Sequence, residues 1–210
     1  LPALQQRVRF QPAIMALSDA GEGKMWISQE RTGLGLYDLS RHEVMLYSDV
    51  LALKSLALGS IKQMTEPRRE GNVWVIPEGR NLIYELGREG MRMKHIRTLS
   101  LPDKAKRHFT QTYEDRNGTL WAGTNNGLFT FSLRDNQWHT VCDTLGQVSA
   151  LKEDKQGNLW IGTTNKGLYQ QSSKGKCKKI PSSLSITCLS VQEDSLIWIG
   201  TQEGGVYALN

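Results

Sequence analysis

The sequence is poor in the features that mark most enzymes and metal proteins. Its three cysteines, Cys142, Cys177 and Cys188, are odd in number and form no Cys-x-x-Cys pair, which excludes a complete disulfide framework and a zinc ribbon. Cys188 sits in the apolar run from Ile186 to Leu189 and is expected to be a small core residue. Cys177 stays open to a disulfide in an oxidising compartment, so cysteine usage does not fix the location. The four histidines, His42, His95, His108 and His139, show no ligand spacing, so no metal site is expected. There is no Gly-x-Ser-x-Gly elbow and no glycine-rich loop opening a helix, so neither a serine hydrolase nor a nucleotide site is indicated. No catalytic residue and no cofactor are therefore expected. No stretch approaches the roughly 18 apolar residues of a membrane-spanning helix, and no membrane contact is expected of this segment. The start, Leu1-Pro-Ala-Leu4, has neither an initiator Met nor a basic leader, and reads as part of a longer chain.

What the sequence does have is glycine (20), tryptophan (6) and a mild positive charge of +5. Five tryptophans recur in one pattern. The segments are Gly23-Lys-Met-Trp-Ile-Ser28, Gly71-Asn-Val-Trp-Val-Ile76, Gly118-Thr-Leu-Trp-Ala-Gly123, Gly157-Asn-Leu-Trp-Ile-Gly162 and Ser195-Leu-Ile-Trp-Ile-Gly200. Trp26, Trp74, Trp121, Trp160 and Trp198 are spaced by 48, 47, 39 and 38 residues. That period, with alternation of period 2 around each Trp, predicts four-stranded β blades rather than helical repeats. An apolar stretch opens each repeat, at 14–17, 61–64, 109–112, 148–151 and 186–189, and predicts the inner strand. A turn follows, clearest in Asp115-Arg-Asn-Gly118 and Asp154-Lys-Gln-Gly157, where Asp caps backbone N–H groups and Gly supplies a positive φ. Each turn offers one carboxylate beside a cation, too few oxygens for a calcium loop. The Trp strand comes next, its side chain filling the gap between adjacent blades, and the Gly-Thr after it lets the chain turn without a Cβ in the way. A third strand (Gly127-Leu-Phe129, Gly167-Leu-Tyr169) and a polar outer strand complete the blade.

The fold class is therefore all-β: a β-propeller of four-stranded antiparallel blades spanning residues 1–210 as one domain. Residues 5–10 read as a lone outer strand that would pair near Val206 and close a five-bladed ring; the alternative is a five-blade part of a larger propeller.

The phrases Asp115-Arg-Asn-Gly-Thr-Leu-Trp-Ala-Gly-Thr-Asn-Asn-Gly-Leu-Phe129 and Asp154-Lys-Gln-Gly-Asn-Leu-Trp-Ile-Gly-Thr-Thr-Asn-Lys-Gly-Leu-Tyr169 closely resemble the two-component regulator propeller repeat. The first two copies depart from it, with Ile27-Ser28 and Val75-Ile76 in place of Ile-Gly. The resemblance implies the periplasmic sensor region of a membrane-bound hybrid histidine kinase, responding to oligosaccharides and signalling to a kinase outside this chain. It also implies contacts with other domains of the same receptor and pairing of receptor copies. A lyase or hydrolase propeller and a protein-interaction scaffold are the alternatives.

The basic run Lys174-Gly-Lys-Cys-Lys-Lys179 has no interleaved aromatics to stack bases and reads as a solvated hairpin, so no nucleic acid is expected. A ligand is expected instead at the blade end shared by two sets of loops. These join outer strands to inner strands and second strands to third strands. They carry Arg31, Arg80, Lys104, Lys106, Arg107, Asn125, Asn126, Asn165 and Lys166, diluted by Glu30, Glu78, Asp103 and Glu203. Guanidinium and ammonium groups pair with carboxylate or sulfate, and amides hydrogen-bond sugar hydroxyls, so an oligosaccharide, including an acidic one, is the expected partner.

Overall fold

The structure, a computed structural model, describes residues 14–30, 32–56, 58–65, 71–101, 107–173, 175, 177–192 and 196–210. The strand expected over residues 5–10 lies outside the described residues. The chain divides into two compact units, Leu1–Ser100 and Leu101–Asn210.

The first unit holds two antiparallel sheets, each four strands in sequence order. One comprises β1 (Ile14–Gly21), β2 (Lys24–Gln29), β3 (Gly33–Asp38) and β4 (Glu43–Leu46). The other comprises β5 (Ile61–Thr65), β6 (Val73–Pro77), β7 (Ile83–Glu89) and β8 (Arg92–Leu99). Two short 3-10 helices, Tyr47–Asp49 and Leu51–Leu56, join them. Between the sheets lies a core of Trp26, Leu34, Leu36, Leu58, Val73, Val75 and Leu86. Arg88 ties the two sheets together: its Nε donates to Ala20 O at 2.6 Å and its Nη1 meets Glu22 at 2.9 Å.

The second unit holds three sheets. They are β9 (Phe109–Glu114) to β12 (Gln137–Cys142) through β10 (Leu120–Thr124) and β11 (Gly127–Ser132); β13 (Val148–Glu153) to β16 (Cys177–Ile180) through β14 (Leu159–Thr163) and β15 (Gly167–Gln171); and the three-stranded β17 (Ile186–Val191), β18 (Ile197–Thr201) and β19 (Val206–Leu209). All five predicted inner strands are present as the first strand of a sheet, and no α-helix occurs among the described residues.

The predicted turns form with the chemistry expected of them. Asp115 Oδ1 accepts from the N–H groups of Asn117 and Thr119, both at 2.9 Å, and Gly118 has φ +77°. Asp154 Oδ1 accepts from Asn158 N at 2.8 Å, and Gly157 has φ +83°. The same carboxylates do a second job. Trp121 Nε1 donates to Asp115 Oδ2 at 2.8 Å, and Trp160 Nε1 donates to Asp154 Oδ2 at 2.9 Å. In the fifth sheet Gln192 takes that place, accepting from Trp198 Nε1 at 3.0 Å. The corresponding position six residues before Trp26 is Ala20, and the Trp26 indole N–H finds no partner among the described residues.

Two expectations need correction. The repeat tryptophans are not uniformly buried. Trp26 and Trp74 are 0% exposed and Trp160 8%, Trp121 is half-buried, but Trp198 is 40% exposed. In the second unit, the surroundings of the glycine two residues beyond the Trp show what covers that face. A Cβ on Gly123 would lie 2.5 Å from Val148 Cγ1, and one on Gly162 would lie 2.5 Å from Ile186 Cγ2. The next sheet's first strand thus presses onto the Trp face at each glycine. On Gly200 the nearest atoms belong to Cys188 and Thr187 of its own sheet. These glycines therefore serve close packing, and none of the three has a positive φ; the turn after them is made by threonine. Thr124, Thr163 and Thr201 each donate Oγ1 to the carbonyl of Gly127, Gly167 and Gly205, at 3.0, 2.7 and 3.1 Å.

Cys188 is exposed rather than in the core. The register shift between Ile186 and Cys188 occurs likewise between Val148 and Ala150 in the fourth sheet, where Ala150 is buried; Cys188 instead lies against Gly200 on the Trp198 face, which is exposed in the fifth sheet.

Asp38 supplies a pH-sensitive support in the first unit. Its carboxylate accepts from Ser40 Oγ at 2.6 Å, Ser40 N at 2.9 Å and Arg41 N at 3.0 Å, which holds the β3–β4 turn. The Ser40 hydroxyl, the Arg41 and Ser40 amides and the nearby Lys24 hold its pKa down at about 2 from an ordinary 3.8. A lowered folded-state pKa means the stabilisation is fully present above the ordinary value and is lost as pH falls through about 2. Asp38→Asn is therefore expected to lower the urea midpoint at neutral pH. The gap from wild type should shrink as the pH approaches 2; a constant gap would mean the carboxylate charge plays no part.

Candidate functional site

One backbone hydrogen bond recurs and places the loops. The residue four beyond Trp74, Trp121, Trp160 and Trp198 donates its N–H to the carbonyl just before the first strand of the same sheet. The pairs are Glu78 to Ser60 at 2.7 Å, Asn125 to His108 at 3.0 Å, Thr164 to Gln147 at 3.1 Å and Gln202 to Ser185 at 2.8 Å. The loop entering the first strand and the loop from second to third strand are thus clipped side by side in four sheets, at the end that carries the residues expected to meet a ligand.

In the second unit this end carries five of the expected residues. Asn125 is doubly tied, because its Oδ1 also accepts from His108 N at 3.0 Å. That bond fixes the amide beside Arg107, whose guanidinium lies over the buried Phe129 ring, 5.3 Å from its centroid. Asn126 is exposed at the turn, its N–H donating to Thr124 Oγ1 at 3.1 Å. In the fourth sheet Asn165 and Lys166 are both exposed. Lys166 Nζ reaches back to Thr144 O at 2.6 Å, and Asn165 Oδ1 lies over Gly146, 2.5 Å from where a Cβ would stand. Glu203, at the same end of the fifth sheet, accepts from Ser185 N at 3.4 Å. Hydrogen bonds from its own backbone and from Ser185 hold its pKa low, so it keeps a negative charge there.

Arg80 belongs to the first unit and has a structural partner. Its Nη1 donates to Leu56 O at 3.1 Å, and Tyr84 Oη donates to the same carbonyl at 3.3 Å. Two donors thus satisfy the last carbonyl of the 3-10 helix, a group such helices leave without an internal partner. Arg31, Lys104 and Lys106 lie outside the described residues. Of the basic run, Lys178 and Lys179 lie in β16 and are exposed.

At the opposite end sits a cation that sequence reasoning passed over. Arg116, inside the third repeat's turn, reaches the fourth sheet. Its Nε donates to Glu153 Oε1 at 2.5 Å, its backbone N to Glu153 Oε2 at 3.1 Å, and its Nη1 to Lys155 O at 2.8 Å; its Nη2 reaches Asp154 O. Glu153 is almost wholly buried on its side chain, so this ion pair is a latch between sheets. The sequence signal was only a cation next to a turn aspartate, which does not say what it reaches. No group of three or more possible metal ligands occurs among the described residues, nor is any helix there long and apolar enough to cross a membrane.

The profile of the two-component regulator propeller matches residues 105–126 and 144–165. No curated protein sequence matches the chain. Among solved structures, the chain is similar to the extracellular domain of BT4673 from B. thetaiotaomicron, a protein classed as a hybrid two-component system. The TM-score is 0.76 at 19% identity, covering 96% of this chain and 28% of that one. It is similar also to the extracellular domain of BT3049 from the same organism, classed likewise, with TM-score 0.56, 20% identity and coverage of 97% and 34%. Streptogramin B lyase is a third, with TM-score 0.67, 14% identity and coverage of 93% and 67%. These likenesses show the β-propeller fold. The chain spans about a third or less of the two extracellular domains.

Proposed function

We propose, from the two-component regulator propeller repeats that this chain carries, that it is an extracytoplasmic ligand-sensing propeller of a two-component receptor. The observation that carries the reading is the match over residues 105–126 and 144–165, which spans the third and fourth Trp motifs and the loops beside them. The ligand is an oligosaccharide, and the acidic kind suits the site best. Arg107 and Lys166 bring cationic groups, and Asn125, Asn126 and Asn165 bring amides, to clipped loops at one end of the second unit's sheets. Binding there costs little loop ordering, because the backbone is already fixed. The receptor's periplasmic side is where such a ligand is met, and the output is a histidine kinase carried by another part of the receptor. Other receptor domains and a second receptor copy are the protein partners.

Calorimetric titration with acidic and neutral oligosaccharide pools tests this reading. Arg107→Ala with Lys166→Ala is expected to weaken binding of the acidic pool about tenfold or more, equivalent to about 1.4 kcal/mol, and to affect the neutral pool less. Acidic binding that survives both changes undiminished places the site elsewhere. The likeness to a lyase gives a second reading, a propeller that cleaves its ligand. Product release during the same titrations would favour it over sensing.

A further inference from the structure

Cys142 and Cys177 come from different sheets, yet the fold brings them to one cluster. Cys142 ends β12 and pairs across the strands with Leu128, a member of the core between the third and fourth sheets. Cys177 opens β16 and pairs with Gln171, which pairs with Leu159, a member of the same core. Period-2 alternation therefore puts Cys177 on the face of the fourth sheet that meets the third. Both cysteines pack against that core, beside Tyr169, Trp121 and Val141, and both are half-buried. The Cys142 thiol also helps to raise the pKa of Cys177, and Cys142 Sγ is 3.8 Å from Thr144 Oγ1.

We propose that Cys142 and Cys177 form a structural disulfide that staples the third sheet to the fourth. The two thiols would react with a low-molecular-weight or protein disulfide oxidant. One thiolate attacks the oxidant's S–S bond and releases one oxidant thiol. The second cysteine thiolate then displaces the other oxidant thiol from the mixed disulfide. The protein loses two electrons and two protons, and the oxidant gains both as two thiols. Occurrence in the cell rests on the extracytoplasmic placement proposed above, because disulfides persist in oxidising compartments. The chemistry itself does not.

The environment points to a structural bond rather than a redox switch. Burial, with Cys142 alongside, pushes the Cys177 thiol up to about 11. Such a thiol is a poor leaving group, so a bond made there exchanges slowly. The core around it limits access by reductants. Cys188 is exposed on the fifth sheet and takes no part.

The test uses the intact chain. After equilibration with reduced and oxidised glutathione, free thiols are alkylated and the protein is digested without reduction. The expected product is one cross-linked peptide pair containing Cys142 and Cys177, with Cys188 alone alkylated. The oxidised protein should melt roughly 5–10 °C above the reduced protein. The difference should vanish in Cys142→Ser and persist in Cys188→Ser. Alkylation of both Cys142 and Cys177 under oxidising conditions would overturn the proposal, as would pairing of either with Cys188. The peptide map needs no variant, so a serine substitution that unfolds the chain leaves the answer intact. Failure of the bridge in vitro would count against the staple alone and leave the sensing reading untouched.

Discussion

Trp160→Ala is expected to destabilise the second unit by about 3 to 5 kcal/mol, the range for removing a large buried aromatic side chain. Trp160 packs with Ala150, Leu168, Ile186, Leu189, Ile197 and Ile199 between the fourth and fifth sheets. Its indole N–H also satisfies Asp154, whose other oxygen caps the preceding turn. Truncation therefore opens a cavity and leaves a buried carboxylate oxygen short of one donor. Trp198→Ala serves as the internal comparison, because the same residue in the same motif is substantially exposed. Its loss should cost less than half as much. Urea unfolding of both variants decides the matter: equal losses would mean that sheet-to-sheet packing is not what these tryptophans do.

Gly162→Val is the second large effect. No turn geometry is at stake, since Gly162 does not have a positive φ. The penalty comes from crowding, with Ile186 Cγ2 2.5 Å from the first added carbon and Ala150 Cβ 3.4 Å from it. Overpacking of this kind costs about 1 to 3 kcal/mol, and more where backbone holds the neighbour in place. Ile186 heads a strand whose preceding loop is clipped by Gln202, so it has little room to retreat. Combining Gly162→Val with Ile186→Ala should give a loss smaller than the sum of the two singles. Strict additivity in that cycle would show that the two positions do not press on each other. Gly200→Val should be milder, because its close neighbour is the Cys188 thiol, which can rotate away.

The comparison of the two glycines shows where sequence reading succeeds and where it stops. Strand alternation and turn chemistry are local, and each was legible because the physics acts within one strand or turn; the Trp period was legible because the same local motif repeats. Asp115 and Asp154 cap their turns as their spacing from Gly118 and Gly157 implied. Partners across sheets were not legible. Nothing local says that Arg116 reaches Glu153, that Arg88 reaches Ala20, or that Gly162 lies under Ile186. The exposure of Cys188 was hidden too, because whether the Trp198 face is covered depends on what packs on it and not on the strand's own residues. At the candidate site, the loop end was legible from strand direction alone. The internal engagements of Arg80, Arg107 and Lys166 were not, since each depends on a carbonyl or ring brought near by folding.

The clip at the loop end has an evolutionary consequence. Its donor and acceptor are both main-chain atoms, so the clip itself makes no demand on the side chains at those positions, although Asn125 adds a side-chain bond of its own to His108 N. The four donor positions hold Glu78, Asn125, Thr164 and Gln202, and the four acceptor positions hold Ser60, His108, Gln147 and Ser185. One scaffold thus displays acid, amide, hydroxyl and imidazole groups at equivalent points. A propeller built this way can diversify what it recognises one repeat at a time, by single substitutions that leave the frame standing. Chemical identity at the rim becomes a variable written over a constant backbone.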